Sequence, residues 1–170
     1  IPLRLVGSEM CIRDSNYNGV KITVFQVLGR TFDNTSLDCP FKVTEELLKK
    51  VDSDIYICDF HGEATSEKIA YALHFDGRVN IIVGTHTHVQ TNDAMVLPKG
   101  TAYMTDLGMT GALDGVIGVE PNCIIKRFLT GLPSRHDPME TGRKQLCGLV
   151  VEINEHTHKV THTDIIRIVQ

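Results

Sequence analysis

Apolar and polar positions alternate with two different periods along this chain. Short apolar runs predict strands at Val20–Leu28, 54–58 and 79–83. Apolar residues spaced three and four apart predict helices at 44–51 and 66–73. Thr65 or Ser66 is expected to cap the second of these helices through its hydroxyl group. The strand–helix–strand order across 54–83 predicts a βαβ unit, which is right-handed when both strands share a sheet.

The second half of the chain is richer in strand patterns. Its apolar runs predict strands at 94–97, 101–105, 146–153 and 160–168, the last two forming a hairpin. Four glycines within 106–121 predict a surface loop that closes over a binding site, because glycine adopts backbone conformations that other residues avoid. A short helix is expected at 122–129. Both element types together predict the α/β class.

Composition narrows the class of protein. The 170 residues fit one domain, and 42% hydrophobic with 22% charged residues is ordinary for a globular fold. A formal net charge of −4 predicts no surface for a nucleic-acid polymer, and no apolar run is long enough for a membrane span. The five cysteines form no Cys-x-x-Cys pair, and no signal peptide is recognisable, so we expect reduced thiols and a cytoplasmic protein.

Three histidines lie directly after two predicted strands. His61 follows the strand at 54–58, and His86 and His88 follow the strand at 79–83. Ligands of α/β proteins bind beyond the carboxyl ends of strands, and imidazole is the commonest side-chain metal ligand. We therefore predict that the three imidazoles converge within a few ångströms on a metal site, although any one of them alone would be read as a loop residue.

Four of the other five histidines lie in a different sequence context. His156 and His158 lie in a polar turn between the last two predicted strands, where solvent-exposed side chains are the default. His74 and His136 have no partner at a strand end. All four are expected to be structural or exposed.

The sequence around the three candidate ligands resembles a known family. The stretches that carry the resemblance are 59–68, 84–91, 105–111 and 126–133. They look like the calcineurin-like metallophosphoesterases, in particular the bacterial branch that hydrolyses cyclic nucleotides. The resemblance implies a metallophosphoesterase-type β-sandwich flanked by helices, and two divalent metal ions (iron, manganese or zinc) that activate water to attack phosphorus. By resemblance, His61 and His86 bind one metal and His88 binds the other.

Glu63 lies two residues beyond His61. We consider it a candidate for substrate binding or for a hydrogen bond to a ligand histidine, with an ordinary acidic residue leading into a helix as an equal alternative. The general-acid histidine of the family has no counterpart in these residues, so no catalytic residue is assigned. The resemblance places that histidine and the remaining metal ligands upstream of Asn18.

The first fifteen residues do not resemble the family. They look like a translated sequencing adapter, so 1–15 is interpreted as a non-native leader and 16–170 as the C-terminal portion of a single metallophosphoesterase domain lacking its N-terminal part. We therefore expect this chain alone to be inactive or weakly active. We also expect Val20–Leu28 to lack strand partners, which would make the chain poorly soluble or oligomeric.

The function predicted from these observations is hydrolysis of small phosphodiesters such as cyclic nucleotides, with no membrane partner. Homo-oligomerisation is compatible with the sequence. One alternative is another metal-dependent hydrolase, such as an amidohydrolase, although the chain is too short for the eight-unit barrel of that class. The other alternative is a non-catalytic remnant.

Overall fold

The computed structural model describes residues 4–5, 11–32 and 37–170. Three helices and ten strands occupy these ranges: β1 (Arg4–Leu5), β2 (Cys11–Tyr17), β3 (Val20–Leu28), α1 (Pro40–Lys50), β4 (Ile55–His61), α2 (Thr65–Phe75), β5 (Ile81–Thr85), β6 (Met95–Val96), β7 (Ala102–Met104), β8 (Gly111–Ala112), α3 (Pro121–Thr130), β9 (Lys144–Ile153) and β10 (Val160–Val169).

The strands form two sheets. The larger sheet has the order β1-β2-β3-β4-β5-β7-β6, and β3, β4, β5 and β7 run parallel within it. The smaller sheet is antiparallel with the order β10-β9-β8, and β10 contacts β6 and β7 of the larger one. The predicted α/β class is therefore confirmed, as are the β4-α2-β5 unit and the final hairpin.

Strand β3 has a partner on each side. It pairs in parallel with β4 and in antiparallel register with β2, from Cys11 opposite Gln26 to Tyr17 opposite Val20. The expectation of an unpaired β3 is wrong for this chain, because residues 11–17 cover that edge and Ile12 is buried in the core. Residues 1–3 and 6–10 of the interpreted leader lie outside the described ranges. The proposed origin of 1–15 stays a prediction.

Several boundaries differ from the sequence prediction. Strands β4 and β5 run on to His61 and Thr85, because parallel pairing continues through that register. Helix α2 begins at Thr65 with the buried Ala64 at its N-cap and no capping side chain, so the predicted hydroxyl cap is wrong. Part of the glycine-rich segment is also a strand, since β8 pairs with β9.

The core lies between the larger sheet and helices α1 and α2. Alternation along the strands sends Cys58 and Phe60 of β4 and Ile82 of β5 into it, against Tyr71 and other aromatic residues of α2. Burial raises the pKa of the Cys58 thiol, which therefore stays protonated as the small core residue expected from the sequence. No helix in the described ranges has the length and apolar character to span a membrane.

Candidate metal centre

His61 and His86 meet at the carboxyl ends of β4 and β5. His61 is the last residue of β4 and lies opposite Thr85, the last residue of β5, so His86 follows beside it. His61 Nε2 and His86 Nδ1 are 3.2 Å apart, and the two rings are nearly perpendicular. Two nitrogens bound to one tetrahedral zinc at about 2.0–2.1 Å would be about 3.3 Å apart. The separation therefore fits two ligands of a single metal ion.

The outer nitrogen of His61 is fixed by a partly buried chain of hydrogen bonds. The Thr85 hydroxyl donates to Asp59 Oδ1 at 2.6 Å, so its oxygen can only accept from His61 Nδ1, at 3.0 Å. Gln26 donates to the other oxygen of Asp59 at 2.6 Å. His61 Nδ1 therefore carries the hydrogen, and the lone pair of Nε2 faces His86. Such support of a ligand histidine by a hydroxyl–carboxylate pair orients the ring and selects its tautomer.

The outer nitrogen of His86 is also held. Glu63 Oε2 lies 3.1 Å from His86 Nε2, which leaves Nδ1 to face His61. Of the alternatives predicted for Glu63, the structure shows the contact with a candidate ligand histidine. A role for Glu63 in binding substrate stays a prediction. When both rings are neutral and both outer nitrogens donate to these acceptors, both inner nitrogens present lone pairs to the same point, as metal ligation requires.

His88 lies elsewhere. His61, Glu63 and His86 line one cavity of about 580 Å³, whereas His88 lines a second cavity of about 280 Å³ with Arg167 and others. The described residues contain no group of three or more His, Cys, Asp or Glu side chains arranged to hold a metal ion. The structure thus brings together two of the three predicted ligands and gives the third a separate setting.

Two buried charges near these histidines were not recognised in the sequence. Lys68 of α2 is 1% exposed, and its Nζ lies 3.1 Å from Oδ2 of the fully buried Asp106. The burial of Lys68 could have been predicted from helical spacing, because Lys68 lies on the same face of α2 as the buried Tyr71, Ala72 and Phe75. A lysine within an apolar stripe predicts a buried cation with an acidic partner.

Asp93 forms hydrogen bonds that connect Thr91, three residues after His88, to Thr105, which directly follows β7. Its carboxylate accepts hydrogen bonds from the Thr91 and Thr105 hydroxyls and from the Thr105 N–H. Burial raises the pKa of Asp93, but these hydrogen bonds outweigh burial and hold the pKa below its ordinary 3.8. The ionised carboxylate is therefore preferred in the folded state.

Replacing the Asp93 carboxylate should make the free energy of unfolding less dependent on pH in the acidic range. A group whose pKa is lowered by folding stabilises the protein above its ordinary pKa and loses that effect as pH falls through the folded value. Urea unfolding should therefore show Asp93→Asn less stable than wild type at pH 7, with the difference shrinking at pH 3. The exposed Glu155→Gln variant is the control. A difference that stays constant with pH would contradict this assignment.

Comparison with solved structures shows that this chain has the fold of a known phosphatase. One of these structures is a novel phosphatase from Mycoplasma pneumoniae, with 41% identity and a TM-score of 0.87 over 93% of this chain and 57% of that one. Another is a hypothetical protein from Thermus thermophilus, with 36% identity and a TM-score of 0.88 over 94% of this chain and 62% of that one.

The family follows from the sequence. The chain belongs to the YmdB-like protein family, which it matches over residues 1–166. A 2',3'-cyclic-nucleotide 2'-phosphodiesterase from Bacillus subtilis is 46% identical over 153 residues, covering 89% of this chain and 57% of the relative. A putative phosphatase/phosphodiesterase from Mycoplasma pneumoniae is 43% identical over 159 residues, covering 91% and 55%. The predicted resemblance to bacterial phosphodiesterases is confirmed, and the chain spans little more than half the length of these relatives.

Proposed function

We propose that this protein acts as a metal-dependent phosphodiesterase on small phosphodiesters such as 2',3'-cyclic nucleotides. The observation that carries the proposal is the approach of His61 Nε2 and His86 Nδ1 to 3.2 Å, with the outer nitrogen of each ring held by another side chain. The Bacillus subtilis relative named for this activity supports the substrate class. The cavity beside the pair, about 580 Å³, falls within the range of small-molecule sites.

The proposed centre is dinuclear. His61 and His86 would hold one ion, and His88 would contribute to the second from its neighbouring cavity. Imidazole together with carboxylate favours iron, manganese or zinc over magnesium or calcium. When bound, such ions make water a stronger nucleophile and neutralise charge on the phosphoryl oxygens. Asp59 and Thr85 orient His61, and Glu63 orients His86.

Zinc binding tests the proposed ligand pair. We expect His61→Ala and His86→Ala each to lower Zn²⁺ affinity by at least about 100-fold, since each removes a direct ligand. Competition with a chromophoric chelator measures the affinity. His156→Ala is the matched control, because that imidazole is exposed in a polar turn. Wild-type affinity in His61→Ala would remove the basis of the proposal.

We further propose that the 170-residue chain turns over cyclic nucleotides poorly, by at least about 1,000-fold relative to the full-length Bacillus subtilis protein. A site for two metal ions needs more ligands than these imidazoles. The described residues contain no group of three or more His, Cys, Asp or Glu side chains that could hold a metal ion. Parallel assays with 2',3'-cyclic AMP measure the ratio. Comparable turnover would contradict this expectation, whereas metal binding by this chain with no turnover at all would favour the non-catalytic alternative.

A further inference from the structure

The segment that carries His86 and His88 has an unusual backbone. His86 has φ of 114° and His88 has φ of 66°, and neither residue is a glycine. A side chain with a Cβ atom makes positive φ unfavourable, so a segment with two such residues needs restraint from its surroundings. Such strain is concentrated at functional sites in proteins. Restraint of residues 86–88 therefore needs a structural source.

Hydrogen bonds to Lys68 and Asp106 supply this restraint. Lys68 Nζ donates to the backbone oxygen of Thr85, directly before His86, at 2.9 Å. Asp106 Oδ2 accepts from the backbone N–H of Thr87, between the two histidines, at 3.0 Å. The other carboxylate oxygen accepts the N–H of Gly108 at 2.9 Å. The pair thus holds the main chain on both sides of His86.

An ion pair this deeply buried needs a reason beyond stability. The cost of removing two charges from water commonly cancels their attraction, and apolar side chains of similar size often serve the core as well. Apolar side chains could not, however, bind the Thr85 oxygen or the Thr87 N–H. The property that only the ion pair provides is therefore the fixed path of the main chain through residues 85–87.

We propose that Lys68 and Asp106 are positioning residues, which hold the strained 86–88 segment so that His86 faces His61. This inference rests on the proposed function in one respect only, that His86 is a metal ligand. Neither residue touches the histidine pair, so both act through the backbone. Removing the pair should allow His86 to rotate away from His61, and metal affinity should fall even in a folded protein.

The double variant Lys68→Met/Asp106→Leu separates positioning from stability. It removes both charges together, so no unpaired charge remains buried, but it leaves Thr87 N–H without an acceptor. We expect the variant to fold, its Zn²⁺ affinity to fall about 10–100-fold, and its Thr87 amide to exchange faster with solvent. The double variant Lys68→Met/Asp106→Asn, which also leaves no unpaired charge buried but keeps one acceptor oxygen, should lie between Lys68→Met/Asp106→Leu and wild type and serves if the latter variant does not fold.

Leu47→Ala is the control for a general loss of stability, because Leu47 is a buried core residue of α1. It should unfold at a lower temperature while keeping wild-type Zn²⁺ affinity. Unchanged Zn²⁺ affinity or unchanged Thr87 protection in the double variant would overturn the inference. If wild type itself binds no Zn²⁺, the proposed function fails, and Thr87 exchange compared with Leu47→Ala still decides whether the pair restrains the segment.

Discussion

Replacing Gly84 with alanine is expected to prevent this chain from folding, or to lower its free energy of unfolding by at least about 4 kcal/mol. A Cβ atom at position 84 would lie 1.7 Å from the backbone oxygen of Thr105 and 2.7 Å from its backbone carbon. The backbone there cannot easily move away, because Gly84 also accepts the N–H of Leu107 and Thr105 is held by Asp93. One methyl group would therefore separate β5 from the segment that carries Asp106.

Circular dichroism during heating, together with soluble yield, measures this effect. Gly148→Ala is the matched control, because an added Cβ atom in that β9 glycine would meet nothing within 4 Å. We expect Gly148→Ala to stay within about 0.5 kcal/mol of wild type or to gain slightly, since alanine restricts the unfolded chain. Equal melting temperatures for the two alanine variants would show that the Gly84 contact does not govern folding.

The part of the site that was predicted from the sequence is the part that depends on local hydrophobic pattern and on the parallel order of the strands. Strand β3 was predicted with its observed bounds, and the pairing of His61 with His86 follows from two parallel strands that end side by side. His88 could not be placed in the same way, because it lies two residues beyond His86 and both have positive φ. No periodic pattern predicts the direction of a backbone in that conformation.

Long-range polar contacts account for most of what the sequence did not reveal. Asp59 and Thr85, which support His61, are 26 residues apart in the chain, and Lys68 and Asp106 are 38 residues apart. Nothing local specifies such a partner, although the place of Lys68 on an apolar stripe indicated its burial. Strand β2 differs in the opposite way, since residues 11–15, interpreted from the sequence as part of a non-native leader, pair with β3.

Phe60 connects the core to the candidate site. It lies between Asp59 and His61 on β4, and alternation points its ring away from them into the core. The ring packs against Tyr71, with centroids 4.8 Å apart. Its edge also lies 3.0 Å from where a Cβ atom would stand on Gly29 or Gly62, two glycines that line the cavity of His61. The Phe60 ring thus packs against the two glycines that line this cavity, on the side that faces the core.

Phe60→Ala should therefore lower the free energy of unfolding by about 3–5 kcal/mol, the usual cost of removing a buried phenyl ring. Urea unfolding measures the loss, and Zn²⁺ titration of the folded fraction should show weaker binding, because Gly29 N–H and the His61 oxygen are bonded above the vacated space. Phe128→Ala is the control, since Phe128 on α3 is 82% exposed and its removal should cost less than about 0.5 kcal/mol. Similar losses in both variants would mean that the core beneath His61 is not as closely packed as the structure shows. Weaker Zn²⁺ binding in Phe128→Ala would show that the loss of Zn²⁺ affinity is not specific to the core beneath His61.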